Sequence, residues 1–238
     1  MTPLEAAERT KDLCEKVSTL SDAGKLVIAA KGRHAPTVAA ALDAQFQATR
    51  EAHAGENYVQ EALEHKLALQ TTSPELYWHF QGNIQSNKVG KIVELVGKEG
   101  FVHSVSSIEL AQKLSEARQE LTGAPLNVFL EVNVGGEETK GGFTPDSLEA
   151  SAEEIGELAG IQAWGVMALP PLNDKKSVAK GGYLRDTLEL NEKLGFKSIS
   201  LGTSHDFEKA LELGVEFNLQ THFVRLGEAI FGPLVKKI

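Results

Sequence analysis

Cysteine is almost absent. Cys14 is the only one in 238 residues, so the chain can form no internal disulfide, and a zinc site built on cysteines is excluded. A reducing compartment is therefore expected. No stretch approaches the about 20 consecutive apolar residues of a membrane span. The first residues, MTPLEAAERTKDLCEKV, are charged and helical in pattern and carry no apolar signal core. Basic charge is also scarce. The net charge is −9, which argues against a long nucleic-acid footprint, because binding many phosphates needs a basic face. A local basic pocket stays compatible with that balance. The 7 histidines are scattered with no ligand spacing such as HExxH, and neither GxGxxG nor a P-loop occurs. No metal is expected. These absences describe a cytoplasmic protein with neither a membrane nor a nucleic-acid partner.

What is present is a regular alternation. Short apolar runs read as strands at Leu26–Ala30, weakly at Ala52–Gly55, then at Tyr77–Phe80, Phe101–Val105, Asn127–Val134, Ile161–Leu169, Ser198–Gly202 and Phe223–Leu226. They recur about every 25–35 residues, roughly one strand plus one crossover helix. Between them, SSIELAQKLSEARQEL sets Ile108, Ala111, Leu114 and Leu121 close to one helical face, and Ser106 with Glu109 reads as a capping box. DFEKALELG is spaced helically and is expected to stop at Gly214. Eight strand-plus-helix units in a chain of this length predict an α/β fold, a (β/α)8 TIM barrel over residues 1–238, with an N-terminal helix over about 1–20. An open doubly wound sheet is the rival. The polar, Gly/Pro-rich stretch Pro170–Gly182 reads as a mobile βα loop, and no domain boundary is apparent.

In such a barrel chemistry gathers where strands end. The first strand ends in Lys31. Desolvated there, a lysine holds more free amine for attack on an aldehyde; the alternative is a snorkelling or salt-bridged lysine. The seventh ends in LGTSHD, where Gly202 and Ser204 precede a helix start that suits phosphate, although Ser204 and Asp206 are also ordinary N-caps. The eighth carries Gly227, and loops after strands 7 and 8 often share a phosphate site. Arg225 lies inside an apolar strand, where it needs a partner: a barrel carboxylate or a bound ligand. His79 is expected to pack or hydrogen-bond within the barrel.

Several stretches together resemble the pyridoxal phosphate homeostasis protein family, single-domain relatives of the alanine racemase barrel, fold type III among pyridoxal phosphate (PLP) proteins. They are the lysine after the first strand, GENYVQE at 55–61, HFQGNIQSNK at 79–88, EVNVGGEETKGG at 131–142, GVMAL at 165–169, SLGTSHD at 200–206 and VRLGEAIFG at 224–232. The resemblance implies pyridoxal 5'-phosphate as cofactor. It implies Lys31 as its Schiff-base lysine, Ser204 and the backbone around Gly227 as its phosphate site, Arg225 facing the pyridine nitrogen and Asn57 lining the ring. Three departures stand out. Ala30 and Gly32 flank the lysine where Ser and Thr are usual. Glu228 follows Gly227 where a small residue is usual. The segment FQATREAHAGENY makes a poor second strand.

Two classes of function follow from the resemblance. One is a cofactor-binding protein serving vitamin B6 homeostasis, a monomer handing PLP to apo PLP enzymes, with no residue in a catalytic role. The other is a PLP-dependent enzyme acting on amino acids, racemase- or decarboxylase-like. Racemases of this barrel carry a further β domain and a tyrosine as second base. About a dozen residues follow the last strand here, too few for that domain, which favours binding over two-base proton transfer.

Overall fold

The computed structural model describes residues 1–69, 75–121, 123–137, 140–171 and 182–234. Eight parallel strands close on themselves in sequence order: β1 (Gly24–Ala29), β2 (Ala52–Glu56), β3 (Leu76–Phe80), β4 (Phe101–Val105), β5 (Leu126–Val132), β6 (Ile161–Ala168), β7 (Ser198–Thr203) and β8 (Thr221–Leu226). Closure is made by β8 against β1, from Gly24 opposite His222 to Ile28 opposite Leu226. It removes every sheet edge and decides against the open sheet.

The helices among the described residues are α1 (Pro3–Leu20), α2 (Ala35–Thr49), α3 (Val59–Ala68), α4 (Val89–Val96), α5 (Ile108–Glu120), α6 (Pro145–Gly156), α7 (Gly182–Lys193), α8 (Phe207–Val215) and the single turn α9 (Glu228–Phe231). Helix α1 starts on a capping box: the Thr2 hydroxyl accepts from the Glu5 N–H at 3.2 Å, and the Glu5 carboxylate accepts from the Thr2 N–H at 2.7 Å. Its buried stripe, Ala6, Thr10, Cys14 and Val17, follows the helical period. Burial pushes the Cys14 thiol up to about 11, so this cysteine is an inert packing group.

Alternation along the strands sorts two buried regions. Ile28, Val102, Leu130, Val166, Ile199 and Val224 point outward and meet Val38, Leu114, Leu148, Leu188 and Leu211 of the helices. Inside the barrel a smaller cluster holds Val27, Phe101, Phe129, Met167 and Phe223.

Several sequence expectations need correction. The cap of α5 is Ser107, whose hydroxyl accepts from the Leu110 N–H at 3.2 Å, not Ser106. Gly214 lies within α8, not past its end, and its lack of a side chain serves packing: a Cβ there would meet His222 Nδ1 at 2.5 Å. The weak second strand pairs on both sides and is buried throughout. Its glycine has no room for a side chain, since a Cβ on Gly55 would meet the Gln81 side chain at 2.3 Å and Val27 at 2.8 Å. Most of the loop expected over Pro170–Gly182 lies outside the described residues.

Candidate functional site

A cavity of about 300 Å³ opens at the C-terminal ends of the strands. Lys31, Asn57, Gln81, Met167, Thr203, Arg225 and Gly227 line it. A larger cavity, about 760 Å³, lies at the opposite mouth among Lys11, Cys14, Lys25, Gln45, Glu51 and His53. The smaller one is the stronger candidate, because in this architecture the strand C-termini carry the chemistry.

Lys31 follows β1 in a turn that is held from three sides. The Arg33 N–H donates to the Ala30 carbonyl at 2.9 Å, and the Gly32 N–H donates to Glu61 at 2.9 Å. His65 Nε2 lies 3.1 Å from the Arg33 carbonyl, and His65 Nδ1 lies 2.7 Å from Glu56 Oε1. Burial opposes charge on His65, but its contacts with Glu56 outweigh that and raise its pKa. Both ring nitrogens face acceptors, which suits an imidazolium. The GENYVQE motif is thus largely scaffolding: Glu56 and Glu61 fix the turn that carries the lysine. Nothing in their spacing announced this. The Lys31 side chain itself is exposed, with its ammonium 5.4 Å from the Tyr58 ring centroid. The expected desolvation of the lysine is not found.

Arg225 is the opposite case. It is 6% exposed, and burial pushes its pKa down to about 10 despite the fields of Asp206 and Glu131. One guanidinium nitrogen donates to the Ala168 carbonyl at 2.8 Å, and another donates to the Ser200 hydroxyl. Among the described residues no carboxylate comes within ion-pair distance of it. A buried cation with no anion beside it is costly, and this one borders the cavity.

The other expected residues divide. Asn57 lines the cavity and donates weakly to the Gln81 carbonyl at 3.4 Å. Gly227 lines it too, pressed so close to β1 that a Cβ would sit 3.0 Å from the Ala29 carbonyl. Ser204 is not in the lining. Its hydroxyl accepts from the Ala229 N–H at 3.0 Å, joining the β7–α8 loop to α9 and leaving its own hydrogen free to donate. Asp206 stands at the N-cap position of α8 but turns backward, accepting from the Thr203 N–H at 2.6 Å and the Thr203 hydroxyl at 2.9 Å. The Glu228 carboxylate points toward His205, 3.4 Å away. Gln81 Nε2, from the HFQGNIQSNK motif, is buried without a partner in the cavity wall. Among the described residues no group of three or more His, Cys, Asp or Glu side chains is placed to hold a metal ion, and no helix is long and apolar enough to cross a membrane.

A family model described as alanine racemase, N-terminal domain, matches residues 11–235. The pyridoxal phosphate homeostasis protein of Pseudomonas aeruginosa is 40% identical over 192 residues, 78% of each chain. That of Aquifex aeolicus is 34% identical over 230 residues, covering 94% of this chain and 93% of its own. The chain belongs to the pyridoxal phosphate homeostasis protein family. Among solved structures of similar fold is PipY of Synechococcus elongatus with PLP bound, at 27% identity and a TM-score of 0.76, covering 95% of this chain and 100% of that one. An alanine racemase of Clostridium difficile, at 16% identity and a TM-score of 0.69, shares the barrel fold over 97% of this chain and 58% of its own. Within the family's barrel, Lys31, Asn57, Arg225 and Gly227 of this member border one cavity.

Proposed function

We propose that this chain binds pyridoxal 5'-phosphate at the C-terminal mouth of the barrel, holds it as a Schiff base on Lys31, and serves intracellular vitamin B6 homeostasis by storing the cofactor and passing it to apo PLP enzymes. The observation that carries the reading is Arg225, a buried cation without a carboxylate, bordering the same cavity as a lysine amine. The unpartnered Gln81 Nε2 and the side-chain-free wall at Gly227 fit a polar, planar ligand. Relatives named for PLP homeostasis, and PipY with PLP bound, support the choice of ligand.

When bound, the cofactor supplies an aldehyde for capture and a ring that accepts electrons. The Lys31 amine would hold the cofactor through that aldehyde. The Ser204 hydroxyl and the backbone at Gly227 hold the phosphate, and Asn57 borders the ring. Arg225 donates a hydrogen bond to the ring nitrogen and, remaining a cation at neutral pH, opposes a second positive charge there. An unprotonated ring is a weak electron sink, which suits storage and delivery by a cytoplasmic monomer better than carbanion chemistry. The test is α-proton exchange. Wild-type protein loaded with cofactor should wash deuterium into L-alanine no faster than free PLP does, while binding PLP in equilibrium dialysis. Rapid exchange or racemisation would favour an amino-acid enzyme instead.

A further inference from the structure

The barrel interior carries a continuous file of polar side chains that the site above does not use. His53 Nδ1 lies 2.9 Å from His79 Nε2, His79 Nδ1 lies 2.8 Å from His103 Nε2, and His103 Nδ1 lies 2.7 Å from the Ser200 hydroxyl. Ser200 in turn accepts from Arg225. At the other end, His53 Nε2 makes no hydrogen bond but lies within ion-pair distance of Glu51 Oε2, at 3.4 Å, and Lys25 holds the second oxygen of that carboxylate. The file climbs the barrel. His53 stands opposite Tyr77, so His79 is two residues further up, and His79 stands opposite Phe101, so His103 is two further again. It therefore joins the wall of one mouth to the cation of the other.

We propose that this file is a positioning device for the site: Glu51, His53, His79, His103 and Ser200 together hold Arg225 in place from the far end of the barrel. Three hydrogen bonds and, at Glu51, one longer contact to an anion join Glu51 to Ser200, and the four neutral donors are three imidazoles and one hydroxyl, each with a single hydrogen. A carboxylate can only accept, and a guanidinium can only donate. All four links are supplied only if every hydrogen points toward Glu51. Ser200 then donates to His103 Nδ1, each histidine carries its hydrogen on Nε2, and that of His53 faces Glu51. The reverse order leaves a bare His53 nitrogen facing a carboxylate and a hydroxyl hydrogen without an acceptor. Polarised toward Glu51, the file turns the Ser200 hydrogen away from Arg225 and presents a lone pair to the guanidinium.

The surroundings keep the imidazoles neutral. His79 and His103 are 1% and 0% exposed, and the Phe223 ring sits 5.5, 5.0 and 5.8 Å from the three imidazole centroids. Burial holds the pKa of all three histidines down, and Arg225 adds to this at His103. His53 is the first cause of a Glu51 pKa near 2, with Lys25 contributing and Tyr77 alongside, so the acceptor end stays ionised. At His79 and His103, both away from solvent, a broken link has no neighbour to replace it.

The inference rests on the proposed function only where it takes Arg225 to be part of the site; the file itself is tested on the protein without cofactor. Long-range ¹H–¹⁵N spectra of histidine-labelled protein at pH 7 should give His53, His79 and His103 a hydrogen on Nε2 and a bare Nδ1. Glu51→Gln, which keeps an acceptor, should preserve that pattern. Glu51→Leu should disturb the tautomers as far as His103, two rings away, and Ser200→Ala should do so from the other end. Both should also weaken PLP binding by about tenfold, one charged hydrogen bond's worth. An imidazolium or an Nδ1-protonated ring in the wild type would overturn the proposal. So would an effect of Glu51→Leu confined to His53. If wild-type protein binds no PLP while the spectra come out as expected, the function fails and the file stands.

Discussion

The two buried regions of this barrel have opposite chemistry. Between strands and helices the packing is mainly hydrophobic, with Ile28, Leu114, Leu130, Leu148 and Leu188 fully buried. Inside the barrel, at equal burial, histidines, Ser200 and an arginine run among aromatic rings. The outer layer is held by area removed from water, about 1.5–3 kcal/mol for each fully buried aliphatic side chain. The inner layer depends on every polar group finding its partner, because each unpaired one costs about 1–3 kcal/mol. The contrast shows that the interior of this barrel serves the mouth: the outer shell makes the fold, and the polar core orients the cation that waits there.

The widest separation of the two layers should come from acid. Burial holds down the pKa of His53, His79 and His103 inside the barrel. Unfolded histidines bind protons below about pH 6.5. The unfolded state therefore binds more protons than the folded one between that pH and the folded values, and stability falls as pH drops through this window. Each histidine contributes a limiting slope of about 1.4 kcal/mol per pH unit, so the three together approach roughly 4 kcal/mol per unit. His65, whose pKa is raised, acts in the opposite sense and offsets part of this. Urea midpoints at pH 7.5 and 5.5 check it, and equal midpoints would contradict the polar core described here.

A pair of substitutions sharpens the same contrast. Leu114→Ala in the outer layer should cost about 2–5 kcal/mol through lost contacts and a cavity. His103→Leu makes the interior more apolar, yet it should destabilise by about 1–3 kcal/mol for each partner it orphans, His79 and Ser200. A neutral or stabilising His103→Leu in chemical denaturation would show that the inner layer is held by area as the outer one is. The smallest effect lies at the mouth and spares stability. Ser204→Ala removes one charge-assisted hydrogen bond to the proposed phosphate, so PLP affinity should fall about 10- to 150-fold by equilibrium dialysis.

The outer layer was legible in the sequence, because apolar periodicity is a local signal. All eight strands and the order of the barrel could be read from it. The exceptions have local causes. Gly55 makes β2 look weak, and Gln81 and Val27 need the space above it. Gly214 reads as a helix stop, but His222 needs the room inside α8. At the mouth, Lys31, Asn57, Arg225 and Gly227 do border one cavity, while Ser204 stands behind it and Lys31 is exposed. The inner layer was not legible. His53, His79 and His103 lie 26 and 24 residues apart, one to a strand, so no window of sequence brings them together. Only the stagger of neighbouring strands makes them a file. Glu56, Glu61 and His65 escaped for a related reason: what they hold is the turn of another strand.

Borohydride reduction of the PLP-loaded protein, followed by peptide mapping, tests the central claim most directly. Reduction turns an imine into a stable amine and marks the lysine that carried it. The proposed function predicts the label on Lys31, loss of the visible absorption band on reduction, and no label in Lys31→Ala. Label on Lys88 or Lys140, or none on the wild-type protein, would contradict it.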